Sequence, residues 1–400
     1  MKRHALTWIL SSAVIGTSLM ATGCSSEPKQ TNNEAAAERW NQARSGVLYA
    51  LAQDQFEMGN FEKARKTISE ALTLNPMSVP VHLLSARLSI EQGRLEDAQA
   101  SLLQATTINP KAAEAYYLAG VVAQRWLRTS EALQHYEQAA EIDPSEQAYL
   151  LARVEMLVEL NRVPEAVKLL EERVVFFENS AGVRDALGQL YLQQGNSARA
   201  VDMLRQASVL AGDDPEIHQR LATALMRDGK WDYARLTLRR LLKRDGLADR
   251  PDLHMAIGEC EMQLGGWLEA RGHFETATRL RPNQPNAWLG LAKAAIKLRD
   301  HRRAELSLAK ARALSPLDAE VHLLNGYLRL EQRRLSDALS SFRRATELDP
   351  NDGTALCMVG YVLEKSGQGD RAIHYYGRAL GLDPKDELAA RLLASVDTGE

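Results

Sequence analysis

The chain has 400 residues, of which 45% are hydrophobic, 25% charged and 6% aromatic, the make-up of an ordinary folded protein with few large side chains. Its 49 Lys and Arg against 52 Asp and Glu give a net charge of −3, with no long run of one sign. That balance excludes nucleic acid as the main partner, since backbone binding needs a clustered basic surface. Three cysteines are too few for a secreted disulfide framework.

The chain opens on an address. Lys2 and Arg3 precede a mostly apolar run, Ala5 to Met20, and then Ala21-Thr22-Gly23-Cys24. This is the layout of a secretory signal over residues 1–23. The apolar run has 16 residues, short of the ~20 needed to span a bilayer as a helix. Leu19 to Cys24 also resembles a bacterial lipoprotein signal, which implies that Cys24 is lipidated and begins the mature chain. It departs from that pattern at Ala21, where leucine is more usual, and plain cleavage after Gly23 is the alternative. Ser25 in place of aspartate implies sorting to the periplasmic face of an outer membrane. Ser25 to Asn41 is polar and buries little. Residues 24–44 are therefore read as a lipid-anchored flexible linker running into the first helix.

From residue 45 one pattern recurs. Its clearest copy, Ala113 to Glu146, reads as two short amphipathic helices closed by Pro144. Gly120 sits inside the first helix; Ala132, Tyr136 and Ala139 form a stripe along the second. Ten copies fit this phase: 45–78, 79–112, 113–146, 147–180, 181–214, 215–248, 251–284, 285–318, 319–352 and 353–386. Two residues, Asp249 and Arg250, are inserted before the seventh. The fourth is degenerate, with Arg173 and Glu178 where alanine and proline are expected. Gly59, Gly93, Gly195 and Gly229 mark the turn between the two helices. Residues 387–400 read as a C-terminal capping helix and tail.

Leu187-Gly188-x2-Tyr191, Trp288-x2-Leu291, Ala270-x3-Phe274 and Ala338-x3-Phe342 carry the two halves of a known signature. On them the chain resembles the tetratricopeptide repeat family. The resemblance implies an all-α, right-handed superhelical solenoid, since a lone helix pair cannot bury its apolar face. It also implies that positions 2, 5, 9 and 12 of each first helix line a concave protein-binding groove. Those columns supply Tyr49, Phe56, Leu83, Arg87, Tyr117, Leu151, Met226, Met255, Met262, Leu289, Lys293, Leu323, Tyr327, Leu330 and Tyr361 as candidate binding residues. Between them lie Glu114, Glu155, Asp185, Gln189, Glu216, Asp252, Glu259, Glu320 and Glu364, with Gln124 in the third repeat, which give the face an acidic bias. Such a groove suits an extended segment or a helix of another protein. The family's carboxylate clamp is not expected, because its positions hold Tyr49, Gln53, Leu83 and Arg87.

Other chemistry is not expected. His82, His218, His254 and His322 share position 4, but copies one repeat apart cannot converge on one metal ion, so they read as interface residues. Cys260 and Cys357, three repeats apart, are read as unpaired. No catalytic or nucleotide-binding motif is present, and neither cofactor nor enzymatic activity is expected. The expected role is a protein-binding scaffold of the cell envelope, in assembly of a pilus, secretion or polysaccharide-export complex. The alternative is an adaptor that holds a peptidoglycan- or glycan-processing enzyme.

Overall fold

A computed structural model describes residues 30–398, and all regular structure among them is helical. The chain divides into two compact units, Met1–Pro144 and Ser145–Glu400. The first holds α1 (Gln30–Glu57), α2 (Phe61–Leu74), α3 (Val79–Glu91), α4 (Leu95–Ile108), α5 (Ala113–Arg125) and α6 (Thr129–Ile142). The second holds α7 (Gln147–Glu159), α8 (Val163–Arg173), α9 (Ala181–Gln193), α10 (Ser197–Leu210), α11 (Pro215–Arg227) and α12 (Trp231–Leu242). It continues with α13 (Pro251–Gln263), α14 (Trp267–Leu280), α15 (Pro285–Lys297), α16 (His301–Leu314), α17 (Ala319–Glu331) and α18 (Leu335–Leu348). It ends with α19 (Gly353–Lys365), α20 (Gly369–Leu382) and α21 (Glu387–Thr398). Within each unit every helix packs on the next, and first helices of several neighbouring repeats touch as well. No helix among the described residues is long and apolar enough to cross a membrane.

One contact sets the geometry of the hairpins. Ala132, Tyr136 and Ala139 of α6 are 0–1% exposed, and the Tyr136 ring lies against Gly120 of α5. The same pairing joins Gly258 to Phe274, Gly326 to Phe342 and Gly360 to Tyr376, with Leu204 taking the ring's place against Gly188. A Cβ at Gly258 would sit 2.8 Å from the Phe274 ring, and one at Gly188 would sit 2.6 Å from Leu204. Glycine is thus fixed here by close approach of helices, while alanine at the flanking positions keeps the second helix equally near.

Turn chemistry fixes the repeat length. Asn75, Asn109, Asp349 and Asp383 each stand before a proline, and their side chains accept from the backbone N–H two residues on, at 2.9–3.2 Å. This Asx turn ends one helix and aims the chain at the next hairpin. The turn inside each hairpin needs one left-handed residue. Glycine supplies it at Gly59, Gly93, Gly195 and Gly229, but Leu127, Asn161, Arg299 and Arg333 stand at the same position with φ of 55–59°. For leucine and arginine that conformation is strained.

The degenerate fourth repeat shows what the pattern maintains. Arg173 cannot occupy the buried alanine position, so α8 stops there and a 3-10 turn follows over Val174–Phe176. Arg173 stacks on Phe176, which remains 71% exposed.

The amino-terminal reading needs one correction. The signal, Cys24 and residues up to 29 lie outside the described residues, but the stretch from Gln30, expected to be flexible as far as Asn41, is helical and continuous with α1. Residues 33–40 are exposed and bury nothing. They are helical because Glu34-Ala35-Ala36-Ala37-Glu38-Arg39 is made of strong helix formers and extends a helix already nucleated by packing.

Two substitutions probe this account. Leu127→Gly should raise stability by about 1 kcal/mol, because Leu127 is 88% exposed and loses no packing. Gly258→Ala should lower it by about 1–3 kcal/mol through overpacking. Denaturant midpoints, with hydrogen exchange of the affected hairpin, check both.

Candidate protein-binding surface

The inner face of the first helices is built on the second helices behind it. In the first unit, Tyr49 and Phe56 of α1 are half-buried over the cluster around Ala64, Ile68 and Ala71. The Phe56 ring meets Phe61 at 5.8 Å. Leu83 of α3 and Tyr117 of α5 lie against the next cluster, and Tyr117 contacts the Tyr136 ring at 5.6 Å. In the second unit, Leu151 and Met226 are half-buried, and Met255 and Met262 rest on the cluster of Ala270 and Phe274. Leu323, Tyr327, Leu330 and Tyr361 are half-buried together over Phe342 and Tyr376. Tyr327 meets Phe342 edge-on at 5.4 Å, and the Lys365 ammonium sits 5.5 Å from the Tyr361 ring centroid. Burial, more than the nearby Asp352, pushes the Tyr327 hydroxyl above the usual phenol range.

Leu289 is the exception. It is 4% exposed, packed with Ala311 and Val321, and is a core residue that a ligand cannot reach. The position-5 column could not separate it from Leu323 because burial depends on the neighbouring repeat's side chains.

The charged members of the face pair with one another across repeats. Arg87 of α3 forms an ion pair with Glu114 of α5. Lys293 of α15 reaches Glu320 of α17 at 2.6 Å, joining position 9 of one repeat to position 2 of the next. Arg220 of α11 reaches Asp185 of α9 at 2.7 Å. Two polar members turn backward instead. Gln124 accepts from the Tyr136 hydroxyl and Glu364 from the Tyr376 hydroxyl, both at 2.9 Å. Burial and Glu364 push the Tyr376 hydroxyl well above its ordinary range. Glu114, Gln124, Glu320 and Glu364 therefore hold the array together.

Other devices had gone unrecognised in the sequence. Arg125 donates to the Ile90 carbonyl at 2.5 Å and Arg227 to the Leu192 carbonyl at 3.2 Å, each gripping the last turn of the preceding first helix. Their shared position 13 was the available signal. Glu261 is 2% exposed and held by Arg235 at 3.2 Å and Arg239 at 2.6 Å. Beside it the Cys260 thiol is pushed up to about 12, by burial and then by Glu259 and Glu261. Cys260 and Cys357 are both free and buried.

The position-4 histidines have a structural task. The Nε2 atoms of His82 and His322 lie 2.9 and 3.2 Å from the carbonyls of Pro76 and Pro316. Tyr116 and Trp288 make the same bond to Pro110 and Pro282, at 3.3 and 2.7 Å. At these four positions a ring bearing an N–H or O–H donor reaches back to the carbonyl of the proline six residues before it. His254 bonds the Ala248 carbonyl through Nε2 at 3.1 Å, leaving Nδ1 to face Nδ1 of His273 at 3.1 Å. With Nε2–H donating, His254 Nδ1 is the acceptor for His273 Nδ1–H. No group of three or more potential metal ligands occurs among the described residues.

Residues 55–121, 113–146 and 181–224 match models described as tetratricopeptide repeat. Those stretches, 55–146 and 181–224, are tetratricopeptide repeats. Residues 209–399 also match the C-terminal domain of cilia and flagella-associated protein 70. Over 145 residues the chain is 26% identical to Superkiller protein 3 of Schizosaccharomyces pombe, covering 35% of this chain and 10% of that one. It thus spans about a tenth of that curated relative's length. Among solved structures it is similar to TTC0263, a thermophilic tetratricopeptide repeat protein of Thermus thermophilus. That match has 22% identity, covers 46% of this chain and 100% of that one, and has a TM-score of 0.41. It is also similar to YrrB, described as a tetratricopeptide repeat protein with an unusual peptide-binding site. There the identity is 21%, the coverage 48% and 97%, and the TM-score 0.38. Tetratricopeptide repeat proteins generally mediate protein–protein interaction, and the fold is typically non-enzymatic.

The histidine pair makes a pH-dependent prediction. Burial, then His254, then Arg239 hold His273 below its ordinary range, while Glu261 opposes them. A histidine with a depressed folded-state value contributes stability that is complete above its unfolded value of about 6.5 and is lost as pH falls through it. The thermal midpoint should therefore drop between about pH 7.5 and pH 5, and His273→Gln should flatten that part of the profile.

Proposed function

We propose that this chain is a protein-binding scaffold of the bacterial cell envelope, gripping partner segments on the inner face of its first helices. The observation that carries the reading is the apolar ledge of Leu323, Tyr327, Leu330 and Tyr361 on α17 and α19. These side chains are half-buried, so their rotamers are held by packing, yet each keeps exposed apolar surface. Pre-ordered aromatic and aliphatic groups bind at low entropic cost. The neighbouring charges Lys293 and Glu320 already satisfy each other, so an apolar or aromatic side chain on a helix or extended segment is the fitting ligand. Attachment through Cys24 at the periplasmic face of the outer membrane would place this ledge among envelope components. The process served is assembly of a pilus, secretion or polysaccharide-export complex.

Affinity capture from detergent-solubilised envelopes tests the ledge. The chain carrying Tyr327→Ala and Leu330→Ala should recover its specific partners with at least roughly tenfold lower efficiency, the loss expected of hot-spot truncation. Full recovery by that variant, with its melting point unchanged, would remove the ledge from the function. Metabolic labelling with an alkyne-palmitate analogue should mark the wild-type chain and not Cys24→Ser; equal labelling of both would rule out the anchor.

A further inference from the structure

The first repeat leaves a stacking face uncovered. Trp40, Val47 and Leu51 along α1, and Met58 directly after it, are 65%, 71%, 46% and 76% exposed. With Arg44 and Asp54 they follow one another in alternating steps of four and three residues, which places all six on a single seam. The seam is not an arbitrary patch. Val47 and Asp54 occupy the columns that hold Val81 and Leu88 in the second repeat and Ala115 and Val122 in the third. Those four side chains are 0–2% exposed, in clusters that also contain α2 and α4 side chains of the preceding repeat. Among the described residues no preceding helix covers α1 in that way.

We infer that this seam binds the same seam of a second copy of the chain, as an antiparallel α1–α1 pair about a two-fold axis level with Tyr49. The register follows from the sequence. About that axis Trp40 faces Met58, Val47 faces Leu51, and Arg44 faces Asp54, each contact occurring twice. Arg44 and Asp54 are exposed and have no ion-pair partner among the described residues, and their opposite charges meet in this register. A charged pair within an apolar seam also selects one alignment over its neighbours. A lipid surface fits less well. Along its length α1 carries Glu34, Glu38, Asp54 and Glu57 against Arg39 and Arg44, and interfacial helices are rich in cations. The inference stands apart from the inner-face reading and uses none of its residues.

The full-length gene product, as the cell processes it and purified in mild detergent, should sediment as a dimer that dissociates on dilution. Arg44→Asp sets four acidic groups in the seam and Asp54→Arg four basic ones, so each variant alone should self-associate at least roughly tenfold more weakly. Mixed together, the two variants should form a heterodimer, because every contact is then complementary; a differently tagged chain in each preparation reads this out. Val47→Glu should give a monomer with an unchanged helical spectrum. A wild-type chain that is monomeric at every concentration overturns the inference, whether its own residues before Gln30 or nothing at all covers the seam. So does failure of the mixed variants to pair. Flotation of a monomeric chain with phosphatidylethanolamine and phosphatidylglycerol vesicles, abolished by Val47→Glu, would assign the seam to lipid instead.

Discussion

The array depends on how closely two helices can approach within each hairpin. In four hairpins, α5–α6, α13–α14, α17–α18 and α19–α20, a ring from the second helix lies against a glycine of the first, with alanines on either side of it along its own helix. Burying such a ring is worth about 1.5–3 kcal/mol, and the closeness it needs excludes any side chain opposite. Once the two helices are locked at that separation, the first helix has a fixed rotation. Which of its side chains point to the inner face, and which to the stacking faces, is then decided. Phe274 extends the constraint beyond one hairpin, because its ring lies against both Gly258 of its own repeat and Gly290 of the next.

Electrostatics acts along the stack and not toward a ligand. Arg87–Glu114, Lys293–Glu320 and Arg220–Asp185 each tie one repeat to its neighbour. The first two are exposed pairs that contribute little stability individually, whereas Asp185 is buried and needs its arginine; all three remove net charge from the surface a partner would meet. Arg125 and Arg227 supply a further donor to helix-end carbonyls that also accept from the turn amides of Gly93 and Gly195. Glu261 is the deeper case, a nearly inaccessible carboxylate retained between two guanidinium groups. Removal of one arginine would leave a carboxylate oxygen without its guanidinium partner, and removal of both would leave an uncompensated buried charge.

The hairpin fold was legible because the same short-range rules repeat. Proline stops, the glycine–ring spacing and the small-residue stripe are each local, and their recurrence in one phase along the chain reinforces them. What was not legible depends on neighbours. Leu289 and Leu323 occupy the same column with the same side chain, yet one is core and the other surface, because the adjoining repeats fill space differently. Glu364 looks like a ligand-facing acid until Tyr376 is found behind it. The helical state of residues 30–41 was missed for another reason: polarity signals lack of burial, and a helix extended from a packed segment does not require burial. The positive φ at Leu127, Arg299 and Arg333 is likewise invisible in residue identity and follows only from their place in the repeat.

The two ends of the chain differ in a way that bears on growth. Helix α21 lays Leu392, Leu393 and Val396 over the last hairpin, and Ala389 is fully buried there. The face on which an eleventh repeat would have formed is therefore occupied from within the chain. Continuing the repeat lattice of another molecule head to tail takes an uncovered face at both ends, and such a contact does not close on itself. Helix α21 lies on the matching face at the other end of the described residues, so a head-to-tail contact there would have to displace it from Tyr375 and Leu380.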